Sequence, residues 1–194
     1  MIYRSAKVRS LTAIVAGCLA IAAAHAETDD EAYSRVIAER AAKITREMNF
    51  TDAEQRQRVQ RLIAEQYRTL RDIHVLRDAE HLGNQTKETA IAEARLTAFE
   101  AHVRFVSRLS AELGCDQVEK VKDGMTYGVL NHTYNGYLAR LPKLNDEQKR
   151  AIRALLIEAR ELAMDAGSAD EKHGVFRKYK GKINNLLSAA GHKL

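Results

Sequence analysis

Apolar residues recur every three to four positions along most of the chain, and a single proline, Pro142, interrupts 194 residues. This spacing places apolar side chains on one face of an α-helix, whereas a half-buried strand needs strict alternation, which no segment shows. Proline breaks helix interiors, so a chain with one proline can form long uninterrupted helices. The sequence therefore predicts an all-α fold.

Helix boundaries follow from capping boxes, in which a Ser, Thr or Asn precedes a Glu or Gln by three residues. Such boxes begin at Thr28, Thr51, Asn145 and Ser168, and an apolar stripe follows each of them. The stripes and the glycines that end them predict helices over residues 29–48, 51–83, 86–113, 116–123, 145–167 and 168–191, with a loop and a short helix within 124–142. Short connections favour antiparallel neighbours, so we expect a single-domain antiparallel helical bundle of about six to seven helices.

Residues 1–26 have the pattern of a secretory signal peptide. A basic start is followed by an uncharged, mostly apolar run over 11–24, and residues 24–26 read Ala-His-Ala, a small-x-small cleavage pattern. The apolar run is shorter than the about 20 residues that a membrane span needs. We therefore expect one helical domain over residues 27–194 that is periplasmic or secreted and has no membrane span.

A second processing route is offered by the residues Val-Ala-Gly-Cys at 15–18, which resemble the lipobox of bacterial lipoproteins. Cleavage before Cys18 would leave a lipid-anchored protein. Apolar residues continue past Cys18, whereas a lipoprotein usually turns polar there. Cleavage after Ala26 is therefore the expected route, and lipidation at Cys18 is the alternative.

Charge patterning argues against nucleic acid as a partner. Three of the 31 Lys and Arg residues, and none of the 26 acidic residues, lie within residues 1–26. The mature chain thus carries 28 basic residues against 26 acidic ones, and both signs are mixed along every segment. A nucleic-acid binder needs a concentrated basic face. The sequence also lacks a dinucleotide fingerprint, a phosphate loop and Cys-based metal spacing, so we expect no cofactor and no metal.

The predicted helix over residues 51–83 carries the most informative polar side chains. Arg71, His74, Asp78 and His81 fall on one flank of its apolar face. Asp78 lies four residues after His74 and can orient the imidazole ring as a general base, or His74, Asp78 and His81 can supply three metal ligands. A half-buried polar seam without chemistry explains the same pattern.

A row of acids forms the second candidate. Glu158, Glu161 and Asp165 share one side of their predicted helix, and Arg160 lies on the other side. Paired carboxylates can act on glycosides, although acids on one helix face are more often solvated or ion paired. Arg77, on the apolar face of the earlier helix, needs an acidic partner from another helix, and this row is the expected source.

Two further candidates are a tyrosine-rich connector and a basic run. Tyr127, Tyr134 and Tyr137 cluster within residues 124–142, where their rings can stack on a sugar or peptide or can close the end of the bundle. His173 belongs to the basic run over 172–182. This run can meet an anionic ligand such as an acidic sugar, or it can form a solvated cationic face.

Three segments place an apolar residue, a cap and a Gln before a helix, at residues 50–55, 113–117 and 144–148. They resemble the Leu-Thr-x-x-Gln motif of small periplasmic helical chaperones of the Spy and CpxP type. Three ordinary helix N-termini explain the same segments.

Longer runs resemble the domain-of-unknown-function family numbered thirty-eight twenty-six. They cover residues 70–74 with 77–78, 121–130, 158–168 and 178–185, and the resemblance extends from about Tyr33 to the end of the chain. It implies an export signal, a helical domain and occurrence in bacteria that degrade complex plant polysaccharides, often near the enzymes for that task. It implies no activity, and no catalytic residues are carried over.

The sequence therefore predicts an exported ligand-binding or accessory protein linked to polysaccharide breakdown, with an oligosaccharide or acidic sugar as its partner. In this hypothesis the tyrosines stack on the ligand, Arg71 binds a carboxylate or hydroxyl, and Asp78 fixes the His74 ring. The candidate ligand-binding residues are Arg71, His74, Asp78, Tyr127, Tyr134, Tyr137, Asp165 and His173.

Two alternatives belong to other functional classes. A chaperone of the Spy type requires a concave apolar surface. A carbohydrate hydrolase or lyase requires His74, Asp78 or the Glu158 row to converge in one pocket. Whether the protein is an enzyme stays open at this point. The apolar stripes also predict that Phe99 and Leu162 face inward.

Overall fold

The computed structural model describes residues 28–79 and 86–193. The predicted signal peptide over 1–26, the alternative lipid site at Cys18 and the candidate ligand His81 lie outside these residues. The all-α prediction is confirmed, because the described residues form seven helices and no strand. The helices are α1 (Asp29–Arg46), α2 (Ala53–Asp78), α3 (Lys87–Glu112), α4 (Cys115–Met125), α5 (Val129–Arg140), α6 (Asp146–Met164) and α7 (Ala169–Ala189).

Three of the four predicted helix starts are confirmed by their cap hydrogen bonds. Thr28 and Asn145 form complete capping boxes, and the Ser168 hydroxyl accepts from the backbone N–H of the third helical residue. The start of α2 was predicted one residue too early. Its cap is Asp52, whose carboxylate accepts the Glu54 N–H at 2.8 Å. A carboxylate at this position also interacts favourably with the positive end of the helix dipole.

Three pairs of consecutive helices, α1–α2, α2–α3 and α6–α7, pack antiparallel and are joined by hydrogen bonds. The Tyr33 hydroxyl near the start of α1 donates to the Tyr67 carbonyl late in α2, at 3.0 Å. Arg108 late in α3 pairs with Glu65 in α2 at 2.7 Å. The same direction reversal holds for α6 and α7, where Lys172 at the start of α7 reaches the end of α6.

The apolar interior consists of two large clusters and one small cluster. The first lies among α1 to α4 and also receives Met164 from α6; it contains Ile37, Ala41, Met48, Val59, Leu62, Ile63, Tyr67, Phe105, Leu109, Leu113, Val118, Val121 and Met125. The second lies among α5, α6 and α7 and contains Leu130, Tyr137, Leu144, Ile152, Leu156, Ala159, Ala163, Phe176, Tyr179, Ile183 and Leu187. The small cluster joins α2 to three alanines of α3.

Two packing expectations were wrong. Phe99 is 61% exposed and Leu162 is 53% exposed. On α3 the alanines Ala94, Ala98 and Ala101 face α2 instead. Small side chains let the two helices approach closely, which turns Phe99 on the neighbouring flank away from the contact.

A buried arginine links α4 to α6. The Arg160 side chain is 3% exposed, and its guanidinium donates to Asp123 at 2.8 Å, to Glu161 at 3.0 Å and to Glu119 at 2.5 Å. The sequence placed Arg160 on the opposite side of its helix from Glu158, Glu161 and Asp165, yet its guanidinium reaches Glu161. A guanidinium with several fixed donors can satisfy several carboxylates at once, so Arg160 is buried without an unpaired charge.

Within the two described ranges, none of the helices combines the length and apolar character needed to cross a bilayer.

We expect the Arg160 contacts to hold α4 against α6. Arg160→Met leaves Glu119, Asp123 and Glu161 without their shared partner. The free energy of unfolding should fall by about 2–3 kcal/mol, less than for a fully buried pair, because the acids keep some access to water. Urea unfolding followed by circular dichroism measures the change. The exposed Arg150 of the same helix provides the control, and Arg150→Met should change stability by no more than about 0.5 kcal/mol. Equal effects of both variants would contradict the structural role given to Arg160.

Candidate functional site

A cleft of about 700 Å³ opens between the second half of α1 and the α4–α5 connection. Its size falls within the range of small-molecule sites, roughly 300–1,000 Å³. Ile44 and Met48 of α1 supply apolar surface, and Tyr127 supplies an aromatic ring. The charged and polar residues around it are Arg40, Lys43, Glu47, Lys120, Asp123 and Asn131.

The cleft exists because α4 approaches α1 closely at a glycine. A Cβ added at Gly124 would lie 2.8 Å from Cγ1 of Ile44, too short for any real contact. Glycine therefore allows the end of α4 to lie directly on α1. This contact places the α4–α5 connection beside the basic side chains of α1.

Tyr127 has an unusual backbone conformation at the edge of the cleft. Its φ angle is +59°, in the left-handed region that tyrosine rarely adopts, and Gly128 follows with φ +65°. Such a residue costs roughly 1–2 kcal/mol and persists only where its surroundings fix it. Here the Thr126 hydroxyl donates to the Lys122 carbonyl at 2.9 Å, and the Gly128 N–H donates to the Asp123 carbonyl at 2.8 Å.

This conformation presents the Tyr127 ring to solvent. The residue is 52% exposed, and its ring stacks on His173 of α7 with centroids 5.7 Å apart. An exposed, fixed aromatic face beside polar groups is suited to stacking against a sugar ring. The prediction that residues 124–142 contain a loop and a short helix is refined, since the loop is Thr126 to Gly128, the helix is α5 (Val129–Arg140), and residues 124 and 125 belong to α4.

The cleft is predominantly cationic. Arg40, Lys43 and Lys120 line it, and none of the three forms an ion pair with an acid in the part of the chain that the structure describes. Of the two acids at the cleft, Asp123 is already bound by Arg160 and by the Asn131 amide at 2.7 Å. Glu47 is the other, so positive charge exceeds negative charge at this surface.

A second polar arrangement crosses from α2 to α3 at the end of α6. The Nε2–H of His74 donates to the backbone carbonyl of Asp165 at 2.7 Å. The Asp165 carboxylate accepts from Nδ1 of His102 at 3.1 Å, and Nε2 of His102 lies 3.3 Å from Glu161. Hydrogen bonds to Asp165 and Glu161 raise the pKa of His102 to about 9, so both ring nitrogens carry protons at neutral pH. His102 is thus an ion-paired bridge between α3 and the end of α6.

Glu161 lies at the centre of this arrangement. Burial raises the pKa of its carboxyl group, but hydrogen bonds from His102, Lys122 and Arg160 outweigh burial and lower the pKa to about 2. Lys122 donates to it at 2.9 Å. Since each of these charged groups is occupied by a partner, the ion pairs hold α3, α4 and α6 together.

His74 was expected to be oriented by Asp78, and the structure shows otherwise. The Asp78 carboxylate accepts two hydrogen bonds from Arg77, each of 2.7 Å, and makes no hydrogen bond to His74. The His74 ring is held by Asp165 alone, and its Nδ1 is buried without a partner. The His74 ring reaches the Asp165 carbonyl because Gly167 has no side chain. A Cβ at position 167 would lie 2.7 Å from Cγ of His74.

Arg77 also has a different partner from the one expected. Its guanidinium pairs with Glu171 at the start of α7, at 2.9 Å, and not with the acids of α6. Those acids do not act as one group. Glu158 accepts from the Tyr179 hydroxyl, whereas Glu161 and Asp165 face His102.

The remaining candidates occupy separate places. Arg71 pairs with Asp30 at 2.9 Å and lies over the Tyr33 ring at 4.3 Å. Tyr134 lies beneath Arg153, and the Tyr137 hydroxyl donates to Asn184 at 2.7 Å. Of the eight candidates, the structure brings together His74 with Asp165, and Tyr127 with His173. Arg71, Asp78, Tyr134 and Tyr137 do not join either pair.

Sequence reasoning missed the cations of the cleft and one buried lysine. Arg40, Lys43 and Glu47 follow helical spacing on the flank of Ile44, but the same spacing is typical of a solvated face. Lys172 was expected in a solvated basic run and is 6% exposed. Burial lowers its pKa to about 8, and its ammonium donates to the carbonyls of Ala163 and Met164 at 3.1 Å each.

No group of three His, Cys, Asp or Glu within residues 28–79 and 86–193 is arranged to hold a metal ion.

Comparison with known proteins identifies the family. A family model described as "Protein of unknown function (DUF3826)" matches residues 34–194, which include the cleft and all helices apart from the first residues of α1. The resemblance predicted from the sequence runs is thus confirmed. No curated protein matches the chain.

The His102 bridge predicts a pH-dependent contribution to stability. A raised pKa means that this contribution is complete below pH 6.5 and is lost as the pH rises to about 9. His102→Gln should lower the free energy of unfolding by about 2–3 kcal/mol at pH 6 and by much less at pH 10. Urea unfolding at both pH values tests this. His132→Gln, at an exposed position, should show no such pH dependence, and a pH-independent loss in His102→Gln would refute the bridge.

The left-handed conformation of Tyr127 predicts an inverted order of substitutions. Tyr127→Gly should be more stable than Tyr127→Ala by about 1 kcal/mol, because only glycine adopts this conformation without cost. At Tyr134, inside α5, the order should reverse and alanine should be the more stable by about 0.5–1 kcal/mol. Thermal or urea unfolding of the four variants measures both differences. The same order at both positions would show that Tyr127 is not held in this conformation.

Proposed function

The chain belongs to the DUF3826 family, whose description assigns no function, and we propose that it is an exported binding protein whose cleft takes an acidic carbohydrate. One observation carries the proposal: the exposed ring of Tyr127, fixed in a left-handed backbone conformation, lies at the same cleft as Arg40, Lys43 and Lys120. The role we propose is that of an accessory protein in polysaccharide breakdown.

Each part of the cleft has a counterpart in such a ligand. The flat face of a sugar ring can stack on Tyr127, and the apolar surface of Ile44 and Met48 can contact its C–H groups. Carboxylates of the sugar can bind the cations Lys43 and Lys120, which have no acidic partner within the described residues. A neutral sugar would leave these cations unused, so charge selects an acidic one.

Binding is favoured over hydrolysis because a glycosidase needs two available carboxyl groups. Asp123 is held by Arg160 and Asn131, which leaves Glu47 as the one acid of the cleft without an ion pair among the residues described. His74 and Glu158 contact different helices and lie in different surroundings. The residues that a hydrolase site would require are therefore engaged in other contacts.

A chaperone of the Spy type is less well supported. Charged side chains such as Lys43, Glu47 and Lys120 interrupt the apolar surface of the cleft, whereas such a chaperone needs a continuous apolar surface. The exposed apolar residues Leu96, Phe99 and Val103 form a stripe on α3, away from the residues that line the cleft. Export rests on the pattern of residues 1–26, and the link to polysaccharide breakdown rests on the resemblance described above.

Calorimetric titration with oligogalacturonides tests the proposal, and fully methyl-esterified oligomers of equal length are the matched ligands without charge. We expect saturable binding of the acid form and at least about tenfold weaker binding of the ester. Tyr127→Ala should weaken binding about five- to tenfold through loss of stacking. Lys43→Gln and Lys120→Gln should each weaken it several-fold.

Lys143→Gln serves as the control, because Lys143 is exposed and lies outside the cleft. Flat titrations with both ligands, or equal affinity of Tyr127→Ala and the unaltered protein, would reject the proposed function. Suppression of client aggregation without any sugar binding would favour the chaperone.

A further inference from the structure

A second recess lies between α5 and α7, away from the cleft. It has a volume of about 290 Å³. Its walls come from one face of α5, with His132, Gly136 and Arg140, and from Lys180 and Asn184 of α7. We call it the α5–α7 groove. None of the residues that line it also lines the cleft.

The floor of the groove holds polar groups whose hydrogen-bonding capacity is incompletely used. Thr133 is 7% exposed, and its buried hydroxyl has no hydrogen-bond partner. Buried hydroxyls are nearly always paired, so an unpaired one beside a recess indicates a missing partner. Next to it, the Tyr137 hydroxyl donates to Oδ1 of Asn184 at 2.7 Å, which leaves the amide N–H groups of Asn184 available as donors.

The rim of the groove is cationic. Arg140 and Lys180 line it, and neither forms an ion pair with any acid in the described ranges. Burial raises the pKa of Tyr137, whereas the charge of Arg140 acts in the opposite direction. His132 lines the groove on the α5 side. No acidic residue lines the groove.

Gly136 keeps the groove open. It lies inside α5, where alanine would favour the helix by about 0.5–1 kcal/mol. A Cβ added at Gly136 would meet no atom within 4 Å, so close packing does not demand glycine at this position. Space above the floor of the groove is what the glycine provides.

We propose that the α5–α7 groove is a second binding site, specific for an oxyanion. Arg140 and Lys180 supply the charge, and Thr133 and Asn184 supply hydrogen bonds from the floor. The anion can be the carboxylate of an acidic sugar or a phosphate group, since both present oxygen acceptors of the same kind. The site does not depend on the function proposed for the cleft.

Titration of the ¹⁵N-labelled protein with inorganic phosphate, followed by NMR at constant ionic strength, tests this site. A parallel titration with galacturonate distinguishes the two sources of the anion. We expect saturable shifts of the backbone signals of residues 132–140 and 180–184. Arg140→Gln and Lys180→Gln should each weaken binding about tenfold, and Thr133→Val should weaken it several-fold.

Lys178→Gln is the matched control on the same helix, because Lys178 is exposed and does not line the groove. It should leave binding unchanged, and so should the cleft variants Lys43→Gln and Tyr127→Ala. Gly136→Gln, which should fill the groove without harm to the helix, should abolish binding while the circular dichroism spectrum is kept.

Shifts that grow linearly with anion concentration would overturn the proposal, because they indicate no defined site. An equal loss of phosphate affinity in Lys178→Gln would also overturn the proposal, because binding would then depend on the overall positive charge of the protein and not on the groove. Failure of the unaltered protein to bind oligogalacturonides, with saturable phosphate binding in the groove, would reject only the function proposed for the cleft.

Discussion

The fold depends on paired charges in the seam between its two apolar clusters. Each cluster can bury its own side chains, but apolar contacts alone are non-directional and specify orientation weakly. Arg160 fixes α4 against α6 through three carboxylates, and His102 fixes α3 against the same helix. A buried charge without a partner is strongly unfavourable, so a displaced arrangement of these helices would be penalised. The position of Gly124 and Tyr127, and therefore the cleft, follows from this seam.

At the C-terminal end of α6, side chains from α2 and α7 bind backbone carbonyls that have no partner within the helix. The last carbonyls of a helix have no partner within it and carry partial negative charge. Lys172 of α7 binds the carbonyls of Ala163 and Met164, and His74 of α2 binds that of Asp165. The contribution of Lys172 to stability changes with pH in the opposite direction to that of His102. Its pKa is lowered to about 8, so stability should rise with pH between about 8 and the ordinary lysine value near 10.5.

Helix positions were predictable from the sequence because they depend on local signals. Capping side chains act within one turn, and the stripes of α1, α6 and α7 reflect their own contacts. The charge pairs of the seam were not predictable from the sequence, because the paired residues are distant in the chain. Arg160 and Lys172 resemble solvated cations until Glu119, Asp123 and the end of α6 are brought to them. The candidate residues do not converge on one ligand because other side chains bind them: Asp30 pairs with Arg71, and Arg77 pairs with Asp78.

Three local costs lie at or within α5. Tyr127 before the helix adopts a left-handed conformation, Thr133 within it buries an unpaired hydroxyl, and Gly136 replaces a better helix former. Each of these features lowers stability, and no neighbouring atom demands a glycine at position 136. Sequences generally avoid such conflicts between local preference and fold except where a function requires them. Because both proposed sites border α5, a ligand role for this helix explains why the conflicts occur together there.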